Sequence, residues 1–319
     1  MQSLPNVSVL IATYNYEKFI GDAIESILKQ TYPIEKIQIV VVDDGSIDET
    51  SKVVSNYKSK VDLTYIYQNN NGKASATSLG RNYITGKYTF ILDADDWYLP
   101  DCIKTVTKCF ESNPEIAQVS HFAYRFDEKI NKMIPQKVNH SYLNEAYEGR
   151  LIFEKSIFER INIGIGSTFA IRTDTFRSFD IPETIDMYID YHLFLKASSR
   201  GKIVQLDQTL SVFRRHSRSY SEGVEKFETG KARSLRYLKS ARSIYEESRA
   251  KDYDDKVTRY FKLFYYKHLL SAAKYTSEGK FNIALKIIAL TLSTMHHYKN
   301  SSKFFLNNIK SAVRPFLKS

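Results

Sequence analysis

The first hundred residues predict an open α/β sheet, and three observations carry that prediction. Four short segments, VSVLIA (7–12), IQIVVV (37–42), LTYIY (63–67) and YTFIL (88–92), are nearly continuous in β-branched and apolar residues, the pattern of parallel strands buried on both faces. Candidate helices at about 17–30, 49–59 and 75–85 lie between them, which gives the strand–helix–strand rhythm of such a sheet. The third observation is polar. The carboxyl ends of these strands carry TYN (13–15), DDGS (43–46), NNNGK (69–73) and DADD (93–96), and open α/β sheets collect ligands at that edge.

The later elements follow from the same reasoning. In DDGSIDET, Ser46 and Glu49 have capping-box spacing, so a helix is expected to start there. PDCIKTVTKCF reads as the helix after the acid turn. From about 116 the rhythm changes: IAQVSHFAYRF and GIGSTFAIR (164–172) read as strands, 188–200 as a helix, and KIVQL and LSVFRRH as two further strands. From 222 the pattern is helical, with two helices expected on either side of Gly279. A boundary near 221 divides the chain into residues 1–221 and a helical region, 222–319.

A chain of 319 residues with 43% hydrophobic and 26% charged residues is long enough for one large domain with an appendage, or for two domains. No stretch reaches the roughly 18 apolar residues needed to span a bilayer, and the first residues lack the pattern of a secretion signal, so a cytoplasmic location is expected. Cys102 and Cys109, seven apart on one helix, have no metal-ligand spacing and are expected as buried free thiols.

The net charge of +10 is unevenly spread. Residues 1–221 hold 26 Lys and Arg against 27 Asp and Glu, whereas residues 222–319 hold 20 against 9. A basic tail on a neutral body argues against a nucleic-acid protein and for attraction of the tail alone to an anionic surface. Its last segment spaces Phe305, Ile309, Ala312 or Val313, and Phe316 helically among Lys303, Lys310, Arg314 and Lys318. Such a helix lies on an anionic membrane, or else packs on protein, including a second subunit.

Asp93, Asp95 and Asp96 stand together beside the only Trp, Trp97. Three chemistries use acids at a strand end. An aspartate phosphatase needs Thr or Val after Asp-x-Asp, where this chain has Asp96 and Trp97. A dinucleotide site needs Gly-x-Gly-x-x-Gly after the first strand, where this chain has TYNYEKF. NNNGKAS is not a phosphate loop of the Walker type either. The remaining use is a divalent cation bridging a nucleoside diphosphate, for which one or two carboxylates plus phosphate oxygens suffice. The alternative is a solvated acidic turn that caps the following helix.

VSVLIATYN, IVVVDDGSIDET, GRNYITGKYTFILDADD and LSVFRRHSRSYS, in that order and spacing, resemble the family 2 glycosyltransferases over residues 5–221, about two thirds of the chain. The resemblance implies a GT-A fold, a Rossmann-like mixed sheet flanked by helices, with a nucleotide-sugar donor and inversion at the anomeric carbon. It also implies Mg²⁺ or Mn²⁺ as cofactor. By the same resemblance Thr13, Tyr14 and Asn15 lie against base and ribose, and Asp43 or Asp44, the latter slightly preferred, takes the uracil imide, which makes UDP the expected nucleotide. Arg81 is expected to pair with a strand-end acid or a phosphate. Asp95 is the firmer metal ligand, Asp93 is shared between metal and ribose, and His216 serves as diphosphate donor or metal ligand. Asp96 is implied either as a support behind the metal ligands or on the acceptor side, Trp97 as a wall of the sugar pocket, and Gly166, Ser167 and Thr168 beneath the acceptor.

The family's general base aligns with Asp190, although Ile189 stands where the usual first acid would be, and Asp186 is the reserve. His192 is expected to be structural. The resulting expectation is transfer of a sugar from a UDP-sugar to a saccharide, including a lipid-linked one, in surface-polysaccharide assembly. A protein that binds nucleotide sugars without turnover is the alternative.

Overall fold

The computed structural model describes residues 3–135, 143–149, 152, 166–217, 230–249 and isolated positions between 258 and 269. Two compact units are present, Met1–Phe153 with Asn162–Ser219, and Glu154–Ile161 with Tyr220–Ser319.

In the first unit, β1 (Val7–Thr13), β2 (Ile37–Asp43), β3 (Asp62–Tyr67) and β4 (Tyr88–Ile91) are parallel neighbours. β1 and β2 are buried nearly throughout, which is why their sequences are continuously apolar. The register sets Thr13 opposite Asp43 and Asp43 opposite Tyr67, so three strands end level and their polar residues emerge side by side. β4 last pairs at Ile91 with Leu10, three residues short of Thr13, and the acid turn begins just beyond.

The sheet then becomes mixed. β5 (Trp97–Tyr98), β6 (Ile116–Asp127), β9 (Phe169–Arg172) and β10 (Lys202–Arg215) complete the order β3-β2-β1-β4-β9-β6-β10-β5, while β7 (Lys132–Pro135) pairs with β6 and β8 (Ala146–Glu148) with β10. β9 is antiparallel to both β4 and β6, and β10 is parallel to β6. The two strands expected at 202 and 210 are one, because β6 pairs with both across register shifts between Gln205 and Ser211. Residues 166–168, expected within a strand, form a 3₁₀ turn before β9.

The helices of this unit are α1 (Ile20–Leu28), α2 (Thr50–Ser55), α3 (Lys73–Gly80), α4 (Cys102–Ser112), α5 (Thr173–Arg177) and α6 (Ile189–Ser198). α1 buries Ile20, Ala23, Ile24 and Ile27, a stripe at helical spacing. The capping box at Ser46 does not form. Ser46 Oγ instead accepts the backbone N–H of Asn15 at 2.8 Å, Asp48 accepts that of Thr50 at 3.1 Å, and α2 therefore starts at Thr50. Cys102 is buried and Cys109 half-buried, both are free, and burial pushes the Cys109 thiol up to about 11.

In the second unit α7 (Gly230–Ser248) buries Ala241 and Ile244, and Tyr245 stacks on Tyr265 with ring centres 5.9 Å apart. The helix pair about Gly279 and the amphipathic segment from 305 lie outside the described residues. Among the described residues no helix is long and apolar enough to cross a membrane.

Beneath the sheet, Tyr88 and Phe110 stack at 4.3 Å and the Arg172 guanidinium lies 5.3 Å from the Tyr88 ring centre. Gly86 lets the chain entering β4 cross the start of β1, since a Cβ there would stand 2.4 Å from the Val7 carbonyl carbon and 2.5 Å from the Ser8 nitrogen. Backbone atoms cannot swing aside, so Gly86→Ala is expected to cost about 1–3 kcal/mol, read as a lower urea midpoint at unchanged slope.

Candidate active site

Two loops are stitched together above the ends of β1 and β2. Asn15 adopts a left-handed backbone (φ 56°), which Asn tolerates better than most residues, and its side-chain oxygen accepts the N–H of Ile47 at 2.9 Å. The Tyr16 N–H donates to Thr50 Oγ1 at 3.1 Å. Thr13 Oγ1 is buried without a hydrogen-bond partner, and Tyr14 is 44% exposed.

The paired acids do different work. Asp43 accepts the Ser46 N–H and the Tyr65 hydroxyl, each at 2.7 Å, and burial together with Asp43 raises the Tyr65 pKa. Asp44 accepts three donors, from Gln68 Nε2 (2.6 Å), Asn71 N (2.8 Å) and Gly72 N (2.8 Å). Asp44 therefore folds the 68–72 loop, and Asp43 keeps the more acceptor capacity of the two.

The acid turn is held from beneath by Ser167. Its Oγ accepts the Asp93 N–H at 2.9 Å and donates to Asp96 Oδ2 at 2.6 Å. The other Asp96 oxygen accepts the Arg214 N–H at 2.9 Å. Asp96 is thus a buried brace and not an acceptor-side group; burial, then Asp95 and Asp93, pushes its carboxyl well above the usual range. Gly166 has φ +49°, and a Cβ there would lie 2.6 Å from Asp93 Oδ2, so only glycine fits beside that carboxylate. Thr168 is buried at the start of β9.

The Arg214 side chain closes the turn from above. Its Nε donates to the Asp95 carbonyl at 3.1 Å, and its terminal nitrogens pair with Asp22 and Glu128. It lies 5.1 Å from the Phe19 ring centre and 4.9 Å from that of Trp97, which itself packs on Phe126. Trp97, expected as a wall of the sugar pocket, is taken up in this stack. Arg214, the first residue of the Arg-x-His segment that the resemblance sets over the pyrophosphate, here braces the acid turn.

Two carboxylates of the turn meet basic side chains. Lys73 Nζ lies 2.6 Å from Asp93 Oδ1, and His216 Nε2 lies 3.0 Å from Asp95 Oδ2. Burial alone would lower the Lys73 pKa, but Asp93, Asp190 and Asp95 together raise it, so this ammonium stays charged. Lys73 was missed as a site residue, although a lysine opening a helix from the polar cluster NNNGK was its visible signal. Arg81 is not paired with a strand-end acid among the described residues. Seven residues separate it from Lys73 along α3, and it binds the Phe179 carbonyl and stands 3.9 Å from Asp180 Oδ1. His192 accepts a structural role at the same corner, with Nε2 2.9 Å from the Asp180 carbonyl.

That corner leads into α6, whose first turn carries Asp190. Asp190 Oδ1 is buried and has no hydrogen-bond partner. Burial raises its pKa, Lys73 opposes the rise, and Asp93 adds to it. Asp186 lies in the 3₁₀ helix Glu183–Tyr188, and its side chain is outside the described residues.

Among the described residues no three His, Cys, Asp or Glu side chains form a metal cluster. Asp95 and His216 nevertheless make a fitting pair of donors. Their 3.0 Å separation matches the edge of an octahedron with bonds of about 2.1 Å. In this structure the Asp93 Oδ1 is instead paired with Lys73.

A parallel half-sheet with an acid turn at its fourth strand, closed by an antiparallel β9, is the GT-A fold. The profile described as glycosyl transferase family 2 matches residues 8–179, and the chain belongs to that family. An uncharacterized glycosyltransferase of Rickettsia felis is 32% identical over 65% of this chain and 33% of its own length. The glycosyltransferase GlyA of Streptococcus pneumoniae is 28% identical over 65% of this chain and 30% of its own. This chain thus spans about a third of the length of these relatives. S. aureus TarS in complex with UDP-GlcNAc superposes with a TM-score of 0.69 at 18% identity, covering 98% of this chain and 92% of that one. The mannosyltransferase PcManGT of Pyrobaculum calidifontis, in complex with GDP-Man and Mn²⁺, gives 0.56 at 17% identity, covering 100% and 89%.

Because Ser167 serves two partners at once, Ser167→Ala strands the Asp93 N–H and one Asp96 oxygen. A loss of about 1–3 kcal/mol is expected in urea unfolding, larger than for Ser178→Ala on the surface of the same unit.

Proposed function

We propose that this chain is an inverting glycosyltransferase that moves a sugar from a UDP-sugar to a saccharide hydroxyl, with Asp190 as general base. The observation that carries the reading is the buried, unpartnered Oδ1 of Asp190, set in the field of Lys73 and Asp93. A carboxylate with a raised pKa is matched to removing a hydroxyl proton near neutrality. Asp190 takes the proton as the acceptor oxygen bonds to the anomeric carbon. The bond from that carbon to the diphosphate oxygen breaks on the opposite face, and UDP leaves with the electron pair.

The loop residues 13–15 and 43 form the nucleotide end of this reading. Asp43 accepts the uracil imide N–H, and Thr13 and Tyr14 lie against base and ribose. TarS was captured with UDP-GlcNAc and with UDP, which supports the choice of nucleotide. Asp95 and His216 would hold Mn²⁺ or Mg²⁺, and the imidazole favours Mn²⁺. A cation there would neutralise charge on the leaving diphosphate. PcManGT, with GDP-Man and Mn²⁺, supports a metal in this fold. Work on a surface polysaccharide, with a lipid-linked acceptor approached by a peripheral tail, completes the proposal.

The decisive measurement is a screen of UDP-sugars by donor hydrolysis and transfer. Asp190→Asn is expected to lower kcat about 100- to 10,000-fold while UDP affinity stays the same, and near-normal transfer would exclude Asp190 as base. Since the base must be ionised and its pKa is raised, the rate should fall on the acid side at a pH above the ordinary carboxylate range. In calorimetry, Mn²⁺ should strengthen UDP binding to the unmodified chain, and Asp95→Ala should abolish that dependence.

A further inference from the structure

The Lys73–Asp93 contact is fixed from both sides. Lys73 opens α3 directly after Gly72, whose N–H is held by Asp44. The far end of α3 is pressed onto the sheet, since a Cβ on Gly80 would stand 2.3 Å from Leu10 Cδ1 and 2.9 Å from Val42 Cγ2. Thr77 Oγ1 donates to the Lys73 carbonyl at 2.7 Å and tightens the first turn. On the opposite side, the Asp93 N–H is held by Ser167, and Gly166 leaves room for its other oxygen. An ion pair between two such supports is unlike a surface pair, whose partners drift apart in solvent.

We propose that Lys73 is a resident counter-ion on Asp93 that keeps the divalent-cation site incomplete until a nucleoside diphosphate is bound. Among the described residues the free chain offers a cation Asp95 and His216, with the Lys73 ammonium held on Asp93 of the same turn. Like charges at a few ångströms repel even when partly screened. The diphosphate supplies the missing oxygen ligands and the negative charge that offsets the ammonium. Donor therefore binds before metal. This inference rests on the proposed reading of Asp95 and His216 as the metal donors, and it adds a cation that the two-acid pattern of the sequence gives no place to.

The test is Mn²⁺ binding to the full chain, by titration calorimetry and by the electron paramagnetic resonance of free Mn²⁺, with and without UDP. The unmodified chain should bind Mn²⁺ tightly only with UDP present. Lys73→Met should bind Mn²⁺ without UDP about tenfold tighter or better than the unmodified chain. Lys73→Arg, which restores a cation, should behave as the unmodified chain. Adding Asp93→Asn to Lys73→Met should remove the gain. Equal Mn²⁺ affinity of the unmodified chain with and without UDP overturns the proposal with no variant needed. Loss of UDP binding to the unmodified chain would sink the donor assignment, whereas UDP binding with Mn²⁺ affinity unmoved by Lys73→Met would sink the counter-ion alone.

Discussion

A buried carboxylate must be satisfied on every side, and Asp96 imposes that requirement on the whole site. Its two oxygens are taken by the Ser167 hydroxyl and the Arg214 N–H, so the turn after β4 is fastened at once to the entry of β9 and the end of β10. Asp93 and Asp95, on the same turn, are thereby turned toward Lys73 and His216. The crowding of three acids is resolved by division: one is buried as a brace, one faces an ammonium and one an imidazole.

The same logic explains why charge in this site is better counted in pairs than in acids. Lys73 contacts Asp93 and also opposes the rise in the Asp190 pKa, so the field of one ammonium bears on both the donor side and the base side of the proposed chemistry. Arg81, a cation of equal charge at the other end of α3, braces the chain at Phe179 and Asp180 that leads into the helix of Asp190.

Much of this was legible in the amino-acid order. The parallel strands announced themselves because burial on both faces demands continuous apolar runs, and VSVLIA and IQIVVV have no other good environment. The edge of the sheet that gathers Thr13, Asp43 and Asp93 followed from topology alone. What was not legible was partner choice over long separations. Ser46 had the spacing to cap its own helix, yet Asn15 claimed it from 31 residues away. An acceptor-side place for Asp96 was open because nothing local reveals that Ser167 and Arg214 will meet it. Trp97 looked like a sugar wall because an arginine that stacks on it lies over a hundred residues later.

The fastening of the acid turn also bears on how such a chain can be divided. Its supports come from Asp22, Glu128, Ser167 and Arg214, which belong to four well-separated stretches. The βαβ half contains every strand end that would face a nucleotide, but it owns only one of those four supports. Recombination or truncation that keeps this half and discards the rest would carry the motif without the framework that gives it shape. The unit of inheritance is thus the whole mixed sheet, and the familiar Asp-x-Asp signature is a marker of it and not a transplantable part.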